Sequence, residues 1–176
     1  MVPGIGDDLA IYYAFAKRWN HLGYETHIIS FGWVEITARL QPKMDTFMRH
    51  LSRFGDSPLY IIGISAGGTT AINALAARDN VQKVITVSSP LDSMKGLRNP
   101  LLAESILQAK ENLAGFSEVQ KARILSVHGL YDQIVQTSLS EPPGVGIKRT
   151  LSILHGPSIF VAMLFYARGL SRFLKR

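Results

Sequence analysis

Apolar runs of strand length alternate along this chain with segments of helical period. Residues 26–31, 59–64, 81–87, 123–128 and 151–154 are rich in Ile, Val and Leu, as strands buried on both faces should be. Residues 9–22 predict a helix, with Lys17 and Arg18 near its end and Gly23 as its cap. In 42–54, Met44, Phe47, Met48, Leu51 and Phe54 share one helical face. The alanine-rich stretch 69–78 and the stretch 100–113 predict two further helices. After His155, the residues Ile159, Met163, Tyr166, Leu170 and Phe173 recur at steps of three and four. They predict one terminal amphipathic helix whose apolar stripe serves core packing.

Strands alternating with helices imply an α/β fold with a mostly parallel sheet and helices on both faces. At 176 residues the chain supplies one core, so residues 1–176 form a single domain. In such sheets ligands bind beyond the carboxyl ends of the strands. Residues just after each strand are therefore the candidates for chemistry.

Composition narrows the picture. Hydrophobic residues make up 47% and charged residues 18%, which is a globular balance. With no cysteine, disulfides, thiol nucleophiles and thiolate metal sites are excluded. That fits a reducing compartment, and the expected location is cytoplasmic. The amino terminus has no basic start followed by an apolar stretch, so it does not read as a signal peptide. The net charge of +6 reads as a solvated basic face, with no nucleic-acid module accompanying it. Weak membrane-surface contact through the basic carboxyl-terminal helix is the functional alternative. No pair of histidines has metal-ligand spacing with a carboxylate, so neither metal nor cofactor is expected.

Three strand ends carry candidate chemistry. The run 59–68, LYIIGISAGG, leads a strand into G-x-S-x-G. A nucleophile there sits on a sharp strand-to-helix turn, which lifts Ser65 out of the sheet beside a helix N-terminus. A serine hydroxyl needs a base, and the base needs a partner that fixes its tautomer. Asp132 follows the 123–128 strand, and His155 directly follows 151–154. Asp92 also follows a strand, but it reads more easily as a turn or capping residue. His128 reads as a packed residue, and His21, His27 and His50 as structural or exposed. The glycine-rich turn Pro3-Gly4-Ile5-Gly6 precedes the first helix, and the amides of Ile5 and Ala66 are the natural pair of oxyanion donors.

Together PGIGDD, YIIGISAGGTTA, VITVSSPLDSMKG, VHGLYDQIV and LHGPSIF resemble the α/β-hydrolase superfamily over nearly the whole chain. In length, and in lacking a long lid insertion, the chain is similar to the minimal bacterial lipases. It departs from them at Pro3, where His is common, and at Ile64 and Ala66, where His and Met flank the serine. The resemblance implies acyl hydrolysis through an acyl-serine, with Ser65, Asp132 and His155 as the triad and a small acyl ester as substrate. Acyltransferase, thioesterase or peptidase activity, or a non-catalytic binding role, are the alternatives on the same scaffold.

The resemblance also implies about six strands. The first, just before Pro3, holds only Met1 and Val2 and should lie between the strands at 26–31 and 59–64. A strand usually runs five or six residues. The expectation is therefore that several more Val, Ile or Leu residues precede Met1.

Overall fold

The computed structural model describes residues 1–6, 9–35 and 37–175. Asp7 and Asp8 of the amino-terminal motif, Ile36 and Arg176 lie outside the described residues.

Four strands, β1 (Leu59–Ile64), β2 (Val81–Val87), β3 (Ile124–His128) and β4 (Gly146–Arg149), form one parallel sheet in chain order. The register sets Ile64 beside Val87 and Val87 beside Val127. The carboxyl ends of the inner strands therefore lie level. Because side chains alternate along a strand, each inner strand feeds two cores. Ile61, Val84 and Ile124 pack with Ile72, Leu101 and Phe47 on one face. Ile62, Ile64, Ile85, Val87 and Val127 pack with Phe15 and other apolar residues on the other face.

The helices follow the apolar periodicity. They are α1 (Leu9–Asn20), α2 (Leu40–Ser52), α3 (Gly67–Ala77), α4 (Pro100–Gly115), the short α5 (Glu118–Lys121), α6 (His155–Leu164) and α7 (Ala167–Leu174). Asn99 caps α4 by accepting a hydrogen bond from the Leu102 amide. The α1 helix ends two residues before the predicted boundary, in a tight turn through Gly23 at φ 90°. Among the described residues no helix is long and apolar enough to cross a membrane.

Three expectations need correction. The last strand is not 151–154 but β4, whose four residues are all exposed. An edge strand with both faces open needs no apolar pattern, so periodicity passed it over. Residues 151–154 instead form an irregular connection, with Leu151 83% exposed. Its one bridge in the sheet direction joins Ile153 to Tyr131. The terminal helix is two helices, broken at Phe165 and Tyr166, whose amides both turn back to the Val161 carbonyl. The break lets α7 bury Ala167, Leu170, Ser171 and Leu174 while Arg168 and Arg172 stay outside.

The third correction is the strand count, which among the described residues is four rather than about six. Residues 26–31 run without a ladder and hydrogen-bond to Met1: the Met1 amine donates to the His27 carbonyl at 2.6 Å and the Ile29 amide donates to the Met1 carbonyl at 2.9 Å. Val2 in turn exchanges two hydrogen bonds with β1, at Ile62 and Ile64. Met1 and Val2 thus occupy the predicted place between 26–31 and β1, but as a single bridge. Beside them, where further strand residues were expected, lies a cavity of about 460 Å³ walled by residues 23–27 and 57–62 and by Phe47, Leu51 and Phe54.

The Met1 side chain is only half-buried, but its amine is enclosed, and loss of hydration lowers the amine's pKa from 8.0 to about 5. Between those values the unfolded chain holds more protons than the folded one, so stability rises with pH across that window. The gain is complete above the unfolded value and absent below the folded one. In urea titrations, the chain with a free Met1 amine should gain on the order of a few kcal/mol between pH 5 and pH 8. Acetylating the amine should flatten that slope, and an unchanged slope after acetylation would place its origin elsewhere.

Candidate active site

The chain leaves β1 through Ser65 at φ 52°, a left-handed value uncommon for any residue but glycine. Its amide donates to the Val87 carbonyl at 2.8 Å, and its carbonyl accepts from the Gly68 amide at 3.0 Å. The strained residue is thus tied to β2 on one side and to the start of α3 on the other. Small residues follow because the backbone crowds the turn: a Cβ at Gly67 would stand 2.1 Å from the Val2 carbonyl oxygen. The G-x-S-x-G spacing therefore gives a tight elbow with Ser65 at its tip and the α3 N-terminus behind it.

Beyond β3, Asp132 is 3% exposed. Its Oδ1 accepts the amides of Ile134 at 2.9 Å and Val135 at 2.8 Å. Its Oδ2 lies 2.7 Å from His155 Nδ1. His155 opens α6, preceded by Leu154 at φ 73°, and is 8% exposed. Its amide donates to Gln133 Oε1 at 3.0 Å, which ties the start of α6 to the Asp132 loop. His155 Nε2 lies 3.0 Å from Ser65 Oγ. An ionised carboxylate only accepts, so Nδ1 carries the proton and the Nε2 lone pair faces the serine hydroxyl. The structure brings together Ser65 from the end of β1, Asp132 from the loop after β3 and His155 from the start of α6.

The competitors lie apart from this contact. Asp92 is half exposed and bound to Lys110 at 2.6 Å and to the Ser93 amide at 2.6 Å. The Lys110 ammonium, then the Ser93 amide, hold its carboxyl below the usual range. His128 is buried, with Nδ1 2.8 Å from the Gly129 carbonyl and Nε2 2.9 Å from Glu141 Oε1. That second contact is close in distance but poorly aligned for a hydrogen bond. His27 pairs with Glu25 on the surface. Among the described residues no three His, Asp or Glu side chains converge as a metal site would need.

The amino-terminal turn lies against the elbow. A Cβ at Gly4 would sit 2.8 Å from Ser65 Cβ, so only glycine lets the turn approach so closely. Among the described residues, the amides of Ile5 and Ala66 take no hydrogen bond. Two residues at this turn were not singled out in the sequence, Tyr12 and Trp33. Both are buried, and each bonds the turn's backbone. The one available signal was that a buried Trp or Tyr needs a polar partner, which does not say which partner.

No family model matches the sequence, and no curated protein matches it. Solved structures do resemble the fold. The esterase domain of a Rhodothermus marinus protein superposes with a TM-score of 0.69 at 16% identity, over 97% of this chain and 82% of that one. A Paleococcus ferrophilus monoacylglycerol lipase gives 0.67 at 15% identity, over 97% and 91%. A Bacillus anthracis bromoperoxidase gives 0.63 at 14% identity, over 99% and 90%. With its parallel sheet in chain order and its helices on both faces, the chain has the α/β-hydrolase fold, in a truncated form of four strands.

Proposed function

We propose that this chain is a serine hydrolase of carboxylic esters. The observation that carries the reading is the hydrogen-bonded chain from Asp132 through His155 to Ser65 Oγ. In the proposed reaction, His155 Nε2 takes the hydroxyl proton as Ser65 Oγ attacks the ester carbonyl. The resulting imidazolium is stabilised by the Asp132 carboxylate, and the negative oxygen by the amides of Ile5 and Ala66. As the tetrahedral species collapses, the alcohol leaves with the proton from His155. A water molecule then gives its proton to the same nitrogen and attacks the acyl-serine, releasing the acid and restoring Ser65.

The surroundings favour a substrate with apolar parts. Leu130, Ile134, Ile153 and Leu154 are exposed on the two segments that carry Asp132 and His155. The chain between β2 and β3 folds mainly as α4, which sends Leu101, Leu102, Ile106 and Ala109 into the core. It packs on α3 rather than arching over Ser65 as a lid would.

The test is labelling with a fluorophosphonate, followed by a chain-length series of chromogenic esters. Stoichiometric phosphonylation of Ser65 is expected, with activity on soluble short-chain esters and no jump in rate when the substrate forms micelles. An unlabelled Ser65 in folded protein would overturn the serine mechanism. A steep rise above the critical micelle concentration would replace the soluble-ester preference with an interfacial one.

A further inference from the structure

The turn carrying Ile5 is fastened from both faces of the sheet. Trp33 Nε1–H donates to the Pro3 carbonyl oxygen at 3.1 Å, in a buried contact. The Gly4 amide donates to Tyr12 Oη at 3.1 Å, also buried. Trp33 belongs to one core, tilted against Phe31 at 4.5 Å between ring centroids. Tyr12 belongs to the other core, edge-on to Phe15 at 5.9 Å. The Pro3 carbonyl and the Gly4 amide are the two ends of one peptide plane. Such a plane is rigid, so a bond at each end fixes its rotation about the chain axis.

That fixed plane is the one immediately before the Gly4–Ile5 peptide, which carries the Ile5 amide. Gly4 has to be glycine to lie against Ser65, and glycine resists rotation least of all residues. The residue that permits the close approach is thus also the weakest hinge in the turn. An oxyanion donor is effective only when it is oriented before the charge develops. We infer that Tyr12 and Trp33 are positioning residues, which lock the Pro3–Gly4 plane and thereby aim the Ile5 amide at the oxyanion. The inference rests on the serine mechanism proposed above.

The test uses Tyr12→Phe, Trp33→Phe and the double variant, each checked for cooperative melting. The substrate is a soluble acetyl ester, and the inhibitor is an alkyl boronic acid, whose adduct with Ser65 resembles the tetrahedral species. Each single variant should lower kcat roughly 10–100-fold, with KM within about twofold of wild type. Boronate affinity should fall in the same ratio as kcat/KM. Because either loss frees the same plane, the double variant should fall little below the worse single one. Packing defects in two separate cores would instead multiply. Wild-type kcat in Tyr12→Phe, or multiplying losses in the double variant, would overturn the inference while leaving the serine mechanism standing. A wild-type chain inert to both ester and fluorophosphonate would overturn the mechanism, and this inference with it.

Discussion

Replacing Ser65 with alanine should leave a folded protein whose ester hydrolysis falls by roughly a thousandfold or more. Fold retention is expected because the side chain is not what holds the elbow. The two backbone bonds of Ser65, to Val87 and Gly68, survive the substitution, and alanine meets the same positive φ. What disappears is the oxygen that would form the acyl intermediate in the proposed mechanism, and among the described residues Ser65 Oγ is the hydroxyl that meets His155 Nε2. His155→Ala should lose nearly as much, because an unassisted serine hydroxyl is a poor nucleophile. The two losses should not multiply, since the residues act as one unit. Turnover of a chromogenic acetate ester beside a thermal melt measures both effects. Ser65→Ala activity within tenfold of wild type would place the nucleophile elsewhere.

Asp132→Asn is the second large effect, and it acts through a proton's position. Asp132 Oδ1 is held by two amides, so asparagine keeps its carbonyl oxygen there and turns its NH₂ towards His155 Nδ1. That nitrogen must then accept, which moves the ring proton to Nε2, facing Ser65. A protonated Nε2 cannot act as base, and activity should drop roughly 10³–10⁴-fold with little change in substrate affinity. Asp92→Asn should leave the rate near wild type, because Asp92 is committed to Lys110 at the surface. Full activity in Asp132→Asn together with a dead Asp92→Asn would transfer the acid's role to Asp92.

The parts of the molecule legible in the sequence were those that bury apolar surface or need rare local geometry. Strands β1, β2 and β3 could be read because both of their faces are covered. Ser65 and Asp132 could be picked out because they follow β1 and β3, whereas His155 was picked out through 151–154, which is not a strand. β4 could not, because Gly146-Ile147-Lys148-Arg149 owes its place to backbone pairing with β3 and its side chains report nothing. Residues 151–154 misled for the opposite reason: Leu151, Ile153 and Leu154 are apolar but exposed. The terminal helix break was hidden because Tyr166 and Leu170 keep the three- and four-residue steps running across it. Tyr12 and Trp33 were legible only as core aromatics, since a bond from a side chain to a distant backbone leaves no periodic trace.

The chain order of the sheet has a consequence for how the protein is made. Every neighbouring pair of strands joins consecutive segments, so a growing chain can add β1, β2, β3 and β4 as each one emerges. The serine elbow belongs to the first strand, and its base, 90 residues further on, follows the last. At about 5–20 residues per second, Ser65 waits on the order of 5–20 s for His155 to be synthesised. Throughout that interval the nascent chain carries Ser65 without His155, and the contact between them forms only when the last strand is in place and α6 has begun.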